Sequence, residues 1–142
     1  MKGRFFLDTN IFVYSFDLDA AGKRAKAQEL IRSALESQGG VISWQVLQEF
    51  LNVALHRFVR PMNVHEAEDY LQSVLLPLCQ VLPTAELYRQ ALLIQVETRY
   101  RFFDCLIVAA ALKSGARTLY TEDLQHGRTV RGLKVENPFR SA

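Results

Sequence analysis

Near the N-terminus the sequence reads Phe5-Phe6-Leu7-Asp8-Thr9-Asn10, three large apolar residues that run directly into a carboxylate. A short apolar run bounded by polar residues is typical of a buried strand in an α/β sheet. Ligands of such sheets lie outside the carboxyl ends of the strands, which is where Asp8 falls. We therefore expect the rest of the chain to bring three further carboxylates to Asp8.

The remainder of the chain alternates short apolar runs with helical patterns. Strands are predicted over 5–7, 41–42, 79–82, 118–120 and 133–135. Helices are predicted over 9–16, 23–38, 44–60, 64–76, 85–100 and 103–114, with Ser43, Asn63 and Thr84 as N-caps. Because parallel strands need crossover connections of about a dozen residues, this alternation favours an α/β fold with a mostly parallel sheet between helices.

Composition narrows the class of protein. A chain of 142 residues favours a single domain over 1–142, and 49% hydrophobic with 23% charged residues is ordinary for a globular protein. The net charge of +2 neither requires nor opposes a nucleic-acid partner.

Cysteine usage and hydropathy predict a cytoplasmic protein. Cys79 and Cys105 lie among apolar neighbours and read as reduced, buried thiols, with no Cys-x-x-Cys pair. The N-terminal residues lack the features of a signal peptide. The longest apolar run, 105–112, is too short to span a membrane.

Four carboxylates stand out by their context. Asp8 ends the first strand, Glu49 lies at the edge of the apolar arc of a helix, and Asp104 begins a helix that is apolar nearly all round. Asp123 follows the fourth strand. Since strand ends and helix starts share one edge of a parallel sheet, we expect at least Asp8, Asp104 and Asp123 to converge there.

Converging carboxylates repel one another, so a proton or a cation must neutralise them. An oxygen-only site with few carboxylates suits Mg²⁺ or Mn²⁺, which keep several waters and recruit phosphate oxygens. Such ions activate water and stabilise the leaving oxygen of a phosphodiester. The pattern therefore indicates phosphodiester hydrolysis.

Each acid also has a simpler interpretation. Asp104 is compatible with a helix cap, Asp8 with an Asx-turn, and Glu49 with a solvated helix position. Asp123 is compatible with a turn residue, in which case the adjacent Glu122 would take the metal role of Asp123 instead.

Residues 5–10, 43–49, 103–111 and 121–124 together resemble the PIN domain, and more narrowly the VapC toxins of bacterial toxin–antitoxin pairs. The resemblance covers essentially the whole chain. It implies a three-layer α/β/α fold with a short, mostly parallel central sheet, and a Mg²⁺- or Mn²⁺-dependent endoribonuclease. It also implies a homodimer and a cognate VapB-like antitoxin that blocks the site.

The resemblance assigns roles to individual residues. It implies an acidic site of Asp8, Glu49, Asp104 and Asp123, in which Asp8, Asp104 and Asp123 position the metal. Thr9, Asn10 and Thr121 match supporting positions of the motifs, with Asn10 expected to hold an acid by hydrogen bonds. One departure is Phe103, which stands where the family often has Trp or Tyr.

RNA binding needs positive charge near an acidic pocket. Arg99 and Arg101 precede Asp104 and are candidates for phosphate contacts.

Three other classes of protein are alternatives to the nuclease hypothesis. A haloacid dehalogenase-type phosphatase has a second Asp two residues after the first, where this chain has Asn10. The sequence has no GxxxxGK[ST] loop, which excludes a P-loop enzyme. A catalytically silent RNA-binding or assembly module with the same fold stays open, and we expect it to bind Mn²⁺ weakly or not at all.

Overall fold

The computed structural model describes residues 3–141. The strands are β1 Phe5–Leu7, β2 Gly40–Ser43, β3 Cys79–Val81, β4 Thr118–Tyr120, β5 Thr129–Val130 and β6 Leu133–Glu136. The helices are α1 Thr9–Tyr14, α2 Ala21–Ser37, α3 Trp44–His56, α4 Val64–Tyr70, a π-helical segment Leu71–Leu75, α5 Leu76–Leu78, α6 Ala85–Thr98 and α7 Phe102–Lys113.

The strands form one sheet in the order β3-β2-β1-β4-β6-β5. All neighbouring strands are parallel except β5, which pairs antiparallel with β6. Strand β1 lies between β2 and β4, so the residue that follows it emerges in the middle of the sheet edge. The predicted α/β/α fold with a short, mostly parallel sheet is confirmed.

Helices cover the sheet and bury its central strand. Helix α7 packs against β2 and β4, and α6 packs on α7, while α2 and α5 contact β2 and α1 packs on α2. All three residues of β1 are buried, as a continuous apolar run predicts for a strand covered on both faces. Within residues 3–141, no helix has the length and apolar character needed to cross a bilayer.

Close packing of α2 on the sheet depends on Gly40. A Cβ atom built at this position would lie 2.1 Å from the Cβ of Ala34, closer than real Cβ atoms approach. Glycine therefore lets α2 sit directly on β2.

Strand β5 was not predicted. It forms a hairpin with β6 through Arg131 and Gly132, both with positive φ (49° and 85°). A two-residue loop of this conformation matches the right-handed twist of the strands, but it is usually marked by Asn-Gly or Asp-Gly. Arg131 also bonds to Glu97 and Gln90 of α6, which fixes the turn in a way that local sequence does not signal.

Helices α1 and α6 end two residues before their predicted ends, and two further predicted ends were wrong. Helix α3 ends at His56 and does not reach residue 60, because Arg57 leaves the helical conformation (φ −122°) and the N–H groups of Arg57 and Phe58 both bond to the Val53 carbonyl. The predicted helix over 64–76 continues past Pro77 through the π-helical segment into α5, where Pro77 lies in the first turn and needs no N–H partner. Among the predicted N-caps, Asn63 and Thr84 accept backbone N–H bonds, whereas the Ser43 hydroxyl makes no cap bond.

Candidate active site

Asp8 leaves β1 at the centre of the sheet edge and is the N-cap of α1. Its side chain is only 5% exposed. Oδ1 accepts the Thr9 backbone N–H at 2.7 Å, and Oδ2 accepts the Thr121 hydroxyl at 2.8 Å. A fully buried carboxylate with two short hydrogen bonds is held in a fixed orientation at the strand end.

Glu49 comes to the same edge from α3 and is half-buried. Its Oε1 accepts the Thr9 hydroxyl at 2.5 Å, and its Oε2 accepts Nε2 of Gln45 at 3.1 Å. The Gln45 amide also donates to the Phe103 carbonyl at 3.2 Å, which ties α3 to the start of α7. Sequence reasoning missed Gln45, although its position four residues before Glu49 places both on one helix face.

Asn10 connects the first and last motifs. Its Nδ2 donates to Asp123 Oδ2 at 3.1 Å and to Thr121 Oγ1 at 3.4 Å. Thr121 is completely buried, and its Oγ1 also accepts the Asp123 backbone N–H at 3.0 Å. Asn10 and Thr121 thus join Asp8 and Asp123 in one hydrogen-bond network.

Asp104 lies in the first turn of α7 and is half-buried. The helix begins at Phe102 and its N-cap is Arg101, so Asp104 is not the capping residue. Burial raises the pKa of Asp104, the charges of Asp123 and Glu49 raise it further, and Arg101 opposes them. Asp104 therefore belongs to the electrostatic neighbourhood of the other acids.

Asp8 has a raised pKa chiefly because it is buried. Burial is the main cause that raises the pKa of Asp8 to about 7, and the charges of Asp123 and Glu49 add to it. The hydrogen bonds from Thr121 and Thr9 lower it without offsetting the burial. A cation bound beside Asp8 would stabilise the ionised form of this buried carboxyl group.

Glu122 is the sequence alternative to Asp123 as a metal ligand, but its carboxylate is bound by side chains outside the acidic network. Its Oε1 accepts the Tyr14 hydroxyl at 2.6 Å and its Oε2 accepts Lys23 Nζ at 2.6 Å. Asp123 is the residue of this pair that contacts the acidic network, through Asn10.

The donor set fits a hard divalent cation, because the four acids offer only carboxylate oxygens and these repel one another. No three His, Cys, Asp or Glu side chains within residues 3–141 are arranged as a complete metal-binding group. Mg²⁺ typically binds one or two carboxylates and keeps several waters, so a partial set of protein ligands suits it.

Three arginines lie near the acids in sequence, and one of them acts on an acid. Arg99 and Arg101 are both exposed, and Arg99 ends α6 in the left-handed conformation (φ 64°). Arg128, which follows the last acid, lies over the ring of Tyr100 at 4.8 Å. Of the three, Arg101 is the one whose charge lowers the pKa of Asp104.

A mostly parallel sheet with four acids at or near its carboxyl edge defines an α/β domain with an acidic site. The family model of the PIN domain matches residues 5–131, and the chain belongs to this family.

Solved structures share the fold at low sequence identity, and no curated protein sequence matches the chain. A toxin–antitoxin complex from Klebsiella pneumoniae has a TM-score of 0.66 at 18% identity, with 94% of this chain and 97% of that chain covered. FitAcB from Neisseria gonorrhoeae has a TM-score of 0.61 at 21% identity, covering 96% and 99%. VapC20 from Mycobacterium tuberculosis, described as a toxin that cleaves the sarcin–ricin loop, has a TM-score of 0.58 at 22% identity, covering 84% and 89%.

Proposed function

We propose that the chain is a Mg²⁺- or Mn²⁺-dependent endoribonuclease toxin of the VapC type. The observation that carries the proposal is the buried Asp8, whose pKa is raised to about 7 by burial and by the charges of Asp123 and Glu49. A bound divalent cation would relieve the repulsion among these acids, which gives a metal-dependent enzyme a physical reason to gather them.

In this proposal Asp8, Asp104 and Asp123 hold the cation, directly or through water. The ion supplies an activated water and stabilises the leaving oxygen of the phosphodiester. Glu49 completes the site or orients the attacking water, and Thr9 fixes its Oε1 by the 2.5 Å hydrogen bond. Asn10 and Thr121 connect Asp123 and Asp8 by hydrogen bonds at the carboxyl ends of the paired strands β1 and β4.

The RNA backbone requires cationic contacts outside the acids. We assign these to Arg99 and Arg101, which are exposed and adjoin Asp104 in the chain. The charge of Arg101 already acts on Asp104, so a phosphate bound by Arg101 lies near the acids.

The proposed partners are a VapB-like antitoxin and a second copy of the chain, and the proposed location is the cytoplasm. The structural relatives include toxin–antitoxin complexes, among them VapBC2 from Rickettsia felis at 20% identity and a TM-score of 0.60. Helix α6 exposes Tyr88, Leu92 and Val96 at intervals of four residues, an apolar face of the kind that contacts protein. Both cysteines are free thiols, as in reducing compartments.

One observation favours a second candidate, a silent RNA-binding or assembly module of the same fold. In the described part of the chain, no three potential ligands already form a metal-binding group. Such a module must tolerate the repulsion among its acids without a cation to relieve it, and we therefore rank it second.

The test is cleavage of total bacterial RNA by antitoxin-free protein, with Mg²⁺ or Mn²⁺ and with EDTA. The proposal predicts discrete products that disappear with EDTA and in Asp104→Asn, and persist in Asp69→Asn, which removes an exposed carboxylate of α4. Absence of cleavage by metal-loaded protein contradicts the proposal and supports the silent module. Equal cleavage in EDTA contradicts the metal dependence and excludes the silent module as well.

A further inference from the structure

Glu122 lies between two residues of the acidic network, yet its carboxylate is bound by α1 and α2. Tyr14 donates to Oε1 and Lys23 to Oε2, each at 2.6 Å. Lys23 and Glu122 are 99 residues apart in sequence, so the contact joins distant parts of the chain. We call Tyr14, Lys23 and Glu122 the Glu122 clamp.

The clamp is packed against the C-terminal segment. Lys23 Nζ lies 4.5 Å from the centroid of the Tyr14 ring and 5.8 Å from that of Phe139. The Tyr14 and Phe139 rings meet edge to face with centroids 4.9 Å apart. Lys23 also lies within hydrogen-bond distance of the Tyr14 hydroxyl, at 3.2 Å. An isolated surface ion pair does little to fix its two side chains, but these ring contacts restrict the side chains of Tyr14 and Lys23, which bind Glu122.

The clamp fixes the backbone between two site residues. Thr121 is anchored to Asp8, Asp123 accepts from Asn10 and donates its N–H to Thr121, and the Glu122 N–H makes a long 3.4 Å bond to Asn10 Oδ1. Asp123 is exposed, and its charge opposes those of Asp8 and Asp104. This repulsion favours displacement of Asp123 away from the strand end, and a side-chain anchor on the adjacent Glu122 opposes it.

We propose that Tyr14 and Lys23 are positioning residues, which hold Asp123 at the site by binding Glu122. The proposal rests on the proposed function, since it assigns to the clamp the placement of a metal-binding acid. It explains why the chain has two successive acids after Thr121: Asp123 contributes a metal-binding carboxylate, and Glu122 anchors the segment that carries Asp123.

The test uses Glu122→Gln and Lys23→Met, which remove one charge of the clamp, and Lys23→Arg, which keeps it. Lys26→Met is the matched control, because Lys26 lies one turn further along α2 and makes only a 3.8 Å contact with Glu29. Two quantities are measured in the full chain: the affinity for Mn²⁺ by titration calorimetry, and the hydrogen-exchange rates of the Glu122 and Asp123 amides in metal-free protein.

The proposal predicts that Glu122→Gln and Lys23→Met weaken Mn²⁺ binding by about tenfold to a hundredfold, as loss of outer contacts to metal ligands does. Exchange at the Glu122 and Asp123 amides becomes about tenfold faster, while Leu119 inside β4 is unchanged. Lys23→Arg and Lys26→Met stay within about threefold of wild type in both quantities.

Unchanged exchange at Asp123, or faster exchange with unchanged Mn²⁺ affinity, overturns the proposal and leaves a merely structural contact. Failure of the proposed function gives a different result, because wild type then binds no Mn²⁺ at all. In that case the metal-free exchange rates still decide whether the clamp orders Asp123: faster exchange supports the clamp, and unchanged exchange overturns it.

Discussion

Replacing Asp8 by asparagine is expected to make the metal-free protein more stable above pH 7. The carboxylate is fully buried, and its charge is opposed by Asp123 and Glu49. Asparagine has the same shape, and its Oδ1 can still accept the Thr9 N–H, but its Nδ2 is a donor and cannot accept the Thr121 hydroxyl. The substitution therefore removes the charge and leaves the packing in place.

The magnitude follows from the pKa of Asp8, which is raised from 3.8 to about 7 by burial and neighbouring charges. Because the folded state holds the proton more tightly, the wild type loses stability as the pH rises from about 4 through about 7. A shift of about three units at about 1.4 kcal/mol each sets an upper limit of about 4 kcal/mol. Weaker hydrogen bonds to the neutral amide reduce the gain to about 1–3 kcal/mol.

The assay is thermal and urea unfolding in EDTA between pH 4 and pH 8.5. At pH 8 we expect the Asp8→Asn midpoint about 3–10 °C above wild type, with the difference vanishing near pH 4. Asp19→Asn is the control, because this carboxylate is exposed. Added Mn²⁺ should stabilise the wild type and not the variant.

A variant that is less stable than wild type at pH 8 in EDTA would refute the reasoning. That result would mean that the Asp8 carboxylate stabilises the fold through its hydrogen bonds and is not strained by its surroundings. An equal response of both proteins to Mn²⁺ would place the cation away from Asp8.

Three further outcomes are expected. Affinity for Mn²⁺ should fall about tenfold per pH unit below pH 7 in calorimetry, because burial holds the pKa of Asp8 at about 7 and protons compete with the cation. Thr9→Val should lower the RNA cleavage rate about tenfold or more while changing the substrate KM little, since it frees Glu49 Oε1. Gly40→Ala should cost at least about 1–3 kcal/mol in urea unfolding, because its Cβ collides with Ala34.

The sequence predicted the central part of the fold because local and tertiary signals agree there. The apolar run of β1 and the all-round apolar α7 are buried in the structure as their patterns indicate. All five predicted strands are present, each end within one residue of its prediction.

Tertiary contacts set the features that the sequence did not predict. The hairpin of β5 and β6 uses an Arg131-Gly132 turn that is held by Glu97 of α6. The continuation of the helix through Pro77 depends on the π-helical segment before it. Neither the contact with Glu97 nor the π-helical segment can be predicted from the residues adjacent to these positions.

The candidate site likewise contains residues that local sequence predicts and residues that only tertiary contacts reveal. Strand ends and a helix start predict Asp8, Asp104 and Asp123, and the edge of an apolar helix arc predicts Glu49. In the structure, burial and the neighbouring acids raise the pKa values of Asp8 and Asp104. Gln45, Tyr14 and Lys23 could not be chosen, because their roles arise from contacts with Glu49 and Glu122 across the fold. Individually they are ordinary helix residues.

The most direct measurement of the central claim is an anomalous difference map from a crystal of the protein grown with Mn²⁺. We expect one strong peak that Asp8, Asp104 and Asp123 coordinate directly or through water, and no such peak in Asp8→Asn. A map without a peak at the carboxyl edge of β1 and β4, or with its only peak elsewhere, would contradict it.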